Sequence, residues 1–156
     1  VFLAVAECEG IAGNLLRSVF QYRPQLARVD ELIQRVGLSD VAHIPAQLLP
    51  YGRQRMLEIA IALALRPKIL LLDEPAAGIP TADSGIILDI IATLPKDIAV
   101  LLIDHDMDLV FRFAQQISVL VQGSILVEGA PDDIATDPRV REVYLGDSKH
   151  GRSAAA

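Results

Sequence analysis

Two adjacent carboxylates, Asp73 and Glu74, directly follow the apolar run of residues 69–72 and precede Pro75. A short apolar run that ends at a helix or strand breaker is typical of a strand buried on both faces. Ligands of open α/β sheets bind at the carboxyl ends of such strands, where these acids would lie. One carboxylate suits a metal ion and the other a water, as hydrolysis of a magnesium-bound nucleotide requires. A buried strand with a solvated acidic turn explains the same residues about equally well.

His105 stands between Asp104 and Asp106, directly after the next apolar run, residues 98–103. If both runs are neighbouring parallel strands, Glu74 and His105 face one site at the same edge of the sheet. A histidine there can hold a γ-phosphate and orient the attacking water, while a glutamate accepts its proton. The alternative is a residue at a helix start between two capping acids. The presence of Glu74 after the preceding strand favours the functional interpretation.

A third candidate is the loop of residues 49–54, Leu-Pro-Tyr-Gly-Arg-Gln, immediately before a helix. Gly52 lets the backbone come close to a ligand, and the N-terminus of a helix attracts anions. A single glycine at a helix start is a weak phosphate signal and is more often only a turn.

Composition limits the class of protein. The chain has 156 residues, a hydrophobic fraction of 52% and a formal net charge of −6. No apolar run approaches the roughly 18 residues of a membrane-spanning helix. The acidic balance argues against binding to nucleic acid or to anionic lipid. The single cysteine, Cys8, allows no internal disulfide and fits a reducing compartment.

The elements that position these residues change in kind along the chain. Residues 1–66 are predicted to be almost entirely helical, with segments at 1–20, 24–36 and 51–65, and Gly37 is placed to cap the second. From Lys68 onward, strands alternate with helices, which predicts a parallel sheet with right-handed crossovers. The predicted strands are 68–73, 98–104, 117–122 and 124–128, the last two as a hairpin; the predicted helices are 82–94, 106–115, a short one from 131 and a final turn or two in 139–145.

Three segments in this order resemble motifs of the ABC-transporter ATPases. Residues 49–60 resemble the signature loop, residues 70–78 the Walker B strand and D-loop, and residues 101–108 the segment with the switch histidine. The Ala-Ala-Gly at 76–78 and the Val-Tyr-Leu-Gly at 143–146 are similar to ATP-binding subunits of branched-chain amino-acid importers.

The resemblance implies an α/β fold, the C-terminal part of a P-loop NTPase. Residues 1–66 would form the helical subdomain. Residues 67–147 would form a partial, mostly parallel sheet with flanking helices, and residues 148–156 a disordered tail.

The resemblance also implies roles by position. Asp73 would hold Mg²⁺ through a water, Glu74 would be the general base, and His105 would contact the γ-phosphate. Two loops would face a second subunit. The signature loop, which would contact the ATP of that subunit, comprises Pro50, Tyr51, Gly52 and Arg53, and the D-loop at the dimer interface includes Ala77, Gly78 and Pro80.

The implied function is the C-terminal portion of an importer ATPase that hydrolyses ATP to drive uptake of branched-chain amino acids or similar small solutes. Its cofactors would be ATP and Mg²⁺. Its partners would be a second ATPase subunit and membrane permease subunits, which place it at the cytoplasmic face of the membrane without insertion. The alternatives are a non-catalytic assembly module and an ATPase of the lipopolysaccharide-export type. An ATPase of DNA repair is disfavoured by the acidic balance.

The sequence departs from the family pattern at four places. It contains no Gly-x-x-x-x-Gly-Lys-[Ser/Thr] motif, so it resembles the part of a subunit that follows Walker A, and we expect this chain alone to bind ATP poorly. Pro50 replaces the usual serine and lacks both a hydroxyl and an N–H. Arg53 replaces a glutamine and adds a cation, and Pro80 replaces a polar residue of the D-loop.

The missing motif also predicts a structural consequence. In the family fold, the strand of that motif lies between the strands that match residues 98–104 and 117–122. Without it, both strands expose unpaired backbone groups. The chain alone is therefore expected to be rearranged, or paired with another chain through those edges.

Overall fold

The computed structural model describes residues 1–13, 18–79 and 81–145. The chain divides into two compact units, Val1–Ile103 and Asp104–Ala156. The boundary predicted after residue 66 separates functional subdomains rather than compact units, and it stays a prediction. The predicted tail, residues 148–156, lies outside the described residues.

Three helices of the first unit pack on one another: α1 (Phe2–Cys8), α2 (Arg23–Arg35) and α3 (Tyr51–Ala64). Buried side chains of these helices and of the segment that follows α2 form the core of this half of the unit. They include Val5, Leu32, Val36, Leu38, Ala60 and Leu63. Each helix is amphipathic or apolar enough that packing, rather than helix propensity, stabilises it.

Glycines end the first two helices. Gly10 and Gly37 both adopt φ +69°, which side chains disfavour. The N–H of Ile11 donates to Ala6 at 2.9 Å, and that of Leu38 donates to Ile33 at 2.9 Å, which completes a Schellman cap at each end. The predicted cap at Gly37 is confirmed. The first predicted helical segment, residues 1–20, is instead interrupted at Gly10, and part of it, residues 14–17, lies outside the described residues.

The first unit also contains a parallel strand pair. Strands β1 (Ile69–Asp73) and β2 (Ala99–Ile103) pair in register, with Leu71 opposite Leu101. Helix α4 (Thr81–Ala92) connects them and contacts α3. Leu70 of β1 is buried, whereas the opposite face of the pair is exposed.

The second unit is built on a hairpin. Helix α5 (Met107–Phe113) precedes strands β3 (Ile117–Val121) and β4 (Ser124–Gly129), which pair antiparallel. The turn between them has positive φ at both Gln122 and Gly123, as a two-residue hairpin loop requires. The predicted hairpin is confirmed.

Two short helices, α6 (Pro131–Thr136) and α7 (Pro138–Leu145), complete the second unit. Its core joins side chains of the hairpin to side chains of these helices. The buried members are Ile117, Val119, Ile134 and Val140.

The prediction of a mostly parallel sheet is right only in part. Within the described residues, the strands form two separate two-stranded sheets, β1–β2 parallel and β3–β4 antiparallel. The physical reason is local: a two-residue turn joins β3 to β4 and permits only antiparallel pairing. Pairing with another chain stays a prediction.

None of the helices in the described ranges has both the length and the apolar character needed to cross a bilayer.

Candidate functional site

The two acids lie where the sequence predicts, at the carboxyl end of β1. Asp73 is the last residue of the strand and lies opposite Ile103 of β2. The N–H of Glu74 donates to the carbonyl of Ile103 at 2.8 Å, so the ladder extends one residue beyond the strand. Both acidic residues are exposed.

The backbone of Glu74 is left-handed, with φ +42°. A side chain in this region costs about 1–2 kcal/mol, and such residues concentrate at functional sites. The N–H of Ala77 donates back to the carbonyl of Glu74 at 3.0 Å, which closes a turn directly after the acids. Pro75 is buried inside this turn, while Pro80, the last predicted D-loop residue, lies outside the described residues.

Helix α3 begins at the predicted signature loop. Pro50 is its N-cap, and the first bond of the helix runs from the N–H of Gln54 to the carbonyl of Pro50 at 3.0 Å. The N–H groups of residues 51–53 come before that bond, so they have no partner within the helix. The side chain of Gln54, which the sequence did not single out, donates to the carbonyl of Leu49 at 2.8 Å and fixes the loop.

The structure brings the signature loop and the D-loop together. A Cβ added to Gly78 would lie 3.4 Å from Cε1 of Tyr51. A Cβ added to Gly52 would lie 3.5 Å from Cγ2 of Ile79. The two predicted loops therefore touch at two points within the first unit.

The guanidinium of Arg53 binds a partner that the sequence did not reveal. Its Nη1 lies 2.7 Å from each carboxylate oxygen of Asp40. The hydrogen bond from Arg53 holds the pKa of the Asp40 carboxyl below its usual value. The cation that Arg53 adds to the loop is thus engaged by a neighbouring acid.

Arg55, another residue missed from the sequence, binds Tyr51. Its Nε and Nη2 donate to the Tyr51 hydroxyl at 3.0 and 2.7 Å, and its Nη1 donates to Glu58 at 2.7 Å. Bonding to Glu58 and Tyr51 raises the pKa of Arg55 above its usual value. The spacing of four residues between Tyr51 and Arg55 on one helix face is the signal that would have found this pair.

His105 belongs to the second unit. Its side chain is 78% exposed, and its Nδ1 lies 3.9 Å from Oδ1 of Asp104. Asp104, whose side chain is only 5% exposed, accepts the N–H of Asp106 at 2.9 Å. Asp106 in turn caps α5 by accepting the N–H of Asp108 at 3.1 Å. Asp106 therefore caps the helix next to His105, as the alternative interpretation of this segment predicts. A site shared by Glu74 and His105 stays a prediction.

The residues present supply only part of the coordination shell of a magnesium ion. Mg²⁺ usually takes one or two carboxylates and completes its shell with water and substrate phosphates. Asp73 and Glu74, both exposed, supply that number of carboxylates. Among the described residues, no cluster of three or more His, Cys, Asp or Glu side chains is placed to hold a metal.

Two family models match the sequence. The family described as ABC transporter matches residues 6–77. The family described as branched-chain amino acid ATP-binding cassette transporter matches residues 124–150.

Curated relatives agree with these families. The high-affinity branched-chain amino acid transport ATP-binding protein BraF of Pseudomonas aeruginosa is 36% identical, over 94% of this chain and 61% of BraF. LivG of Salmonella typhimurium, described in the same words, is 38% identical over 89% of this chain and 56% of LivG. The chain thus spans somewhat over half the length of these relatives.

Solved structures show the fold. One solved structure is an ATP-binding cassette of an ABC transporter in its ADP conformation, whose sequence is 26% identical to this chain. Its TM-score is 0.70, over 93% of this chain and 61% of that one. A putative metal-chelate type ABC transporter in an inward-facing conformation reaches a TM-score of 0.74 at 18% identity, over 93% of this chain and 57% of that one. The fold is that of the ABC ATPases, with small parallel and antiparallel sheets. The resemblance seen in the sequence is confirmed, and the chain belongs to the ATP-binding proteins of ABC transporters.

Proposed function

We propose that this chain supplies the water-activating acids and the signature helix of an importer ATPase, whose ATP hydrolysis drives uptake of branched-chain amino acids or similar small solutes. The observation that carries the proposal is the pair Asp73 and Glu74 at the carboxyl end of a parallel strand, both exposed and with Glu74 in a left-handed backbone conformation. The relatives named as branched-chain amino acid transport proteins support the substrate class.

In this proposal the acids divide the chemistry. Bound Mg²⁺ would neutralise charge that develops on the transferring phosphate. Asp73 would hold this ion. The carboxylate of Glu74 accepts the proton of the attacking water, for which its exposure at the strand end is a requirement. His105 would contact the γ-phosphate, as the family resemblance implies.

The N-terminus of α3 contributes to phosphate binding across a dimer. The N–H groups of Tyr51, Gly52 and Arg53 face the ATP held by a second ATPase subunit, because a helix N-terminus favours anions. Pro50 offers no N–H there. Since Asp40 engages the guanidinium of Arg53, the backbone rather than this side chain makes the phosphate contact.

The proposed partners are a second ATPase subunit and membrane permease subunits. Residues 1–66 would dock on the permease, which would hold the protein at the cytoplasmic face of the membrane. Relatives named as transport proteins support this assembly.

Glu74→Gln in the full-length subunit, assembled with its permease, tests the proposal. The variant keeps the size and hydrogen bonding of the side chain but loses the base, so ATP binding should persist while turnover falls by about 100-fold or more. Asp97→Asn, an exposed amide substitution between α4 and β2, is the matched control and should leave turnover unchanged. Turnover of Glu74→Gln equal to that of the parent subunit would refute a general-base role.

A non-catalytic assembly module is the second candidate. Two observations favour it: Pro50 removes an N–H from the helix start, and Asp40 engages Arg53. The same experiment decides, because an assembly module would show no turnover in the parent subunit.

A further inference from the structure

Tyr51 and Arg55 form a rigid pair on the first turns of α3. Two nitrogens of the guanidinium donate to the Tyr51 hydroxyl, at 3.0 Å from Nε and 2.7 Å from Nη2. The third nitrogen pairs with Glu58 at 2.7 Å. The guanidinium carbon lies 5.0 Å from the centre of the tyrosine ring. A planar donor group held at three points restricts the rotamer of Tyr51.

The restricted ring lies against the loop that follows the two acids. Cε1 of Tyr51 is 3.4 Å and Cδ1 is 4.0 Å from where a Cβ of Gly78 would be. Gly78 has φ +73°, a conformation that glycine adopts without strain. Next to this contact, the side chain of Ile79 lies against Gly52. The helix therefore contacts residues 78 and 79 at two successive positions, Tyr51 and Gly52.

That loop is short and internally bonded. The N–H of Ile79 donates to Ala76 at 3.2 Å, and the N–H of Ala77 donates to Glu74 at 3.0 Å. Two successive turns thus connect the contact at Gly78 to the backbone of Glu74. A displacement of the Tyr51 ring can therefore be transmitted to the backbone of Glu74 through these two hydrogen-bonded turns.

We propose that Arg55 and Tyr51 act as a clamp on residues 74–79 and thereby set the orientation of Glu74 relative to the N-terminus of α3. Both side chains are positioning groups, because only the backbone N–H of Tyr51, and neither side chain, is proposed to face phosphate. Their effect on catalysis rests on the function proposed above for Glu74, whereas the clamp itself is a property of this chain and is measurable without ATP.

Hydrogen exchange of this chain tests the clamp directly. Tyr51→Phe keeps the ring and removes the hydroxyl, and Arg55→Gln removes the guanidinium. Loss of hydrogen bonds to a charged group should speed exchange of the Ala77 and Ile79 amides by about tenfold. The amide of Ala60, inside α3, should be unaffected. Arg23→Gln, an exposed arginine on α2, is the matched control and should change neither loop amide. Unchanged exchange of Ala77 and Ile79 in both variants would overturn the clamp.

Turnover of the full-length subunit tests the consequence for catalysis. Tyr51→Phe and Arg55→Gln should lower kcat several-fold with little change in KM for ATP, and Arg55→Lys should restore part of kcat. If Glu74→Gln abolishes turnover while the clamp variants keep both parent exchange and parent kcat, the clamp is wrong and the proposed function stands. If exchange accelerates but the parent subunit has no turnover, the clamp stands and the proposed function is wrong.

Discussion

Glu74 donates its N–H to the carbonyl of Ile103 at 2.8 Å while its own backbone is left-handed. The hydrogen bond holds this residue on the β1–β2 ladder, and the positive φ turns the chain away immediately after it. A residue that is both fixed by the sheet and conformationally strained is costly to keep as glutamate, so its side chain is a better candidate for function than for folding.

Substitutions at Glu74 should therefore separate strain from chemistry. Glu74→Val, a β-branched residue in a left-handed conformation, should lower the free energy of unfolding by about 1–2 kcal/mol. Glu74→Gly should keep it within about 1 kcal/mol of the parent, because relief of strain offsets the greater freedom of the unfolded chain. Urea unfolding of this chain measures both. Equal stability of the valine and glycine variants would contradict strain at this position.

Gly78→Ala should destabilise the first unit. The new methyl group would meet the Tyr51 ring at 3.4 Å in a backbone conformation with φ +73°. We expect a loss of about 1–2 kcal/mol in urea unfolding. Gly85→Ala is the control: nothing lies within 4 Å of the added Cβ inside α4. The control should raise stability by up to about 1 kcal/mol, and a loss equal to that of Gly78→Ala would argue against a specific effect at Gly78.

Acid should weaken the junction of α6 and α7 through Asp137. Its carboxylate accepts from Nη2 of Arg139 at 2.7 Å and from the Arg139 N–H at 2.8 Å, and these bonds lower its pKa from 3.8 to about 2. Because the pKa of Asp137 is lower in the folded chain than in the unfolded chain, ionisation of this carboxyl stabilises the fold at pH values above the unfolded pKa. This contribution is lost as pH falls through the folded pKa. The stability of the second unit should thus decline between about pH 4 and pH 2.

Urea unfolding at a series of pH values checks this expectation. Asp137→Asn should be less stable at neutral pH and should lose less stability than the parent between pH 4 and pH 2. Asp132→Asn, in the first turn of α6, is the control and should keep the parent's dependence on pH over this range. A parallel decline of the parent and Asp137→Asn curves would rule out Asp137 as the titrating group.

The exposed face of the β1–β2 pair should drive self-association of this chain. The apolar side chains on it include Leu71, 69% exposed, and Leu101, 55% exposed, which lie opposite each other. The double variant Leu71→Thr with Leu101→Thr should shift the chain toward monomer in sedimentation velocity, because it removes apolar surface and introduces β-branched residues that suit a strand. Leu3→Thr, at a single exposed position on α1, is the control and should not. A parent chain that sediments as a monomer would contradict the expectation.

Local signals predict the helices and strands, whereas contacts between residues distant in the sequence cannot be deduced from such signals. The apolar run before Asp73, the glycine at position 37 and the Gln-Gly turn at 122–123 each act within a few residues, so their patterns predict β1, the end of α2 and the hairpin. The sheet was predicted mostly parallel because strands and helices alternate, but alternation does not say which strands pair.

The residues of the candidate site divide in the same way. The positions of Asp73 and Glu74 follow from the apolar run of residues 69–72 and the proline after it. Tyr51 contacts Gly78, although the two residues are 27 positions apart in the sequence (78 − 51). Asp40 binds Arg53 from a short 3₁₀ helix between α2 and α3, whose position no periodic pattern determines. Such contacts depend on how the chain folds back on itself, which local patterns in the sequence do not determine.

The ion pair between Arg53 and Asp40 has a consequence for the effect of salt. A bonded pair presents little net charge, so the attraction of this loop for phosphate comes mainly from the helix N-terminus. The Arg53 side chain is 35% exposed, so dissolved ions can screen its attraction to Asp40. The screening length is about 8 Å at physiological salt concentration and becomes shorter as the salt concentration rises. Rising ionic strength therefore weakens the hold of Asp40 on Arg53 as well as the pull of the loop on phosphate, and the two effects oppose each other.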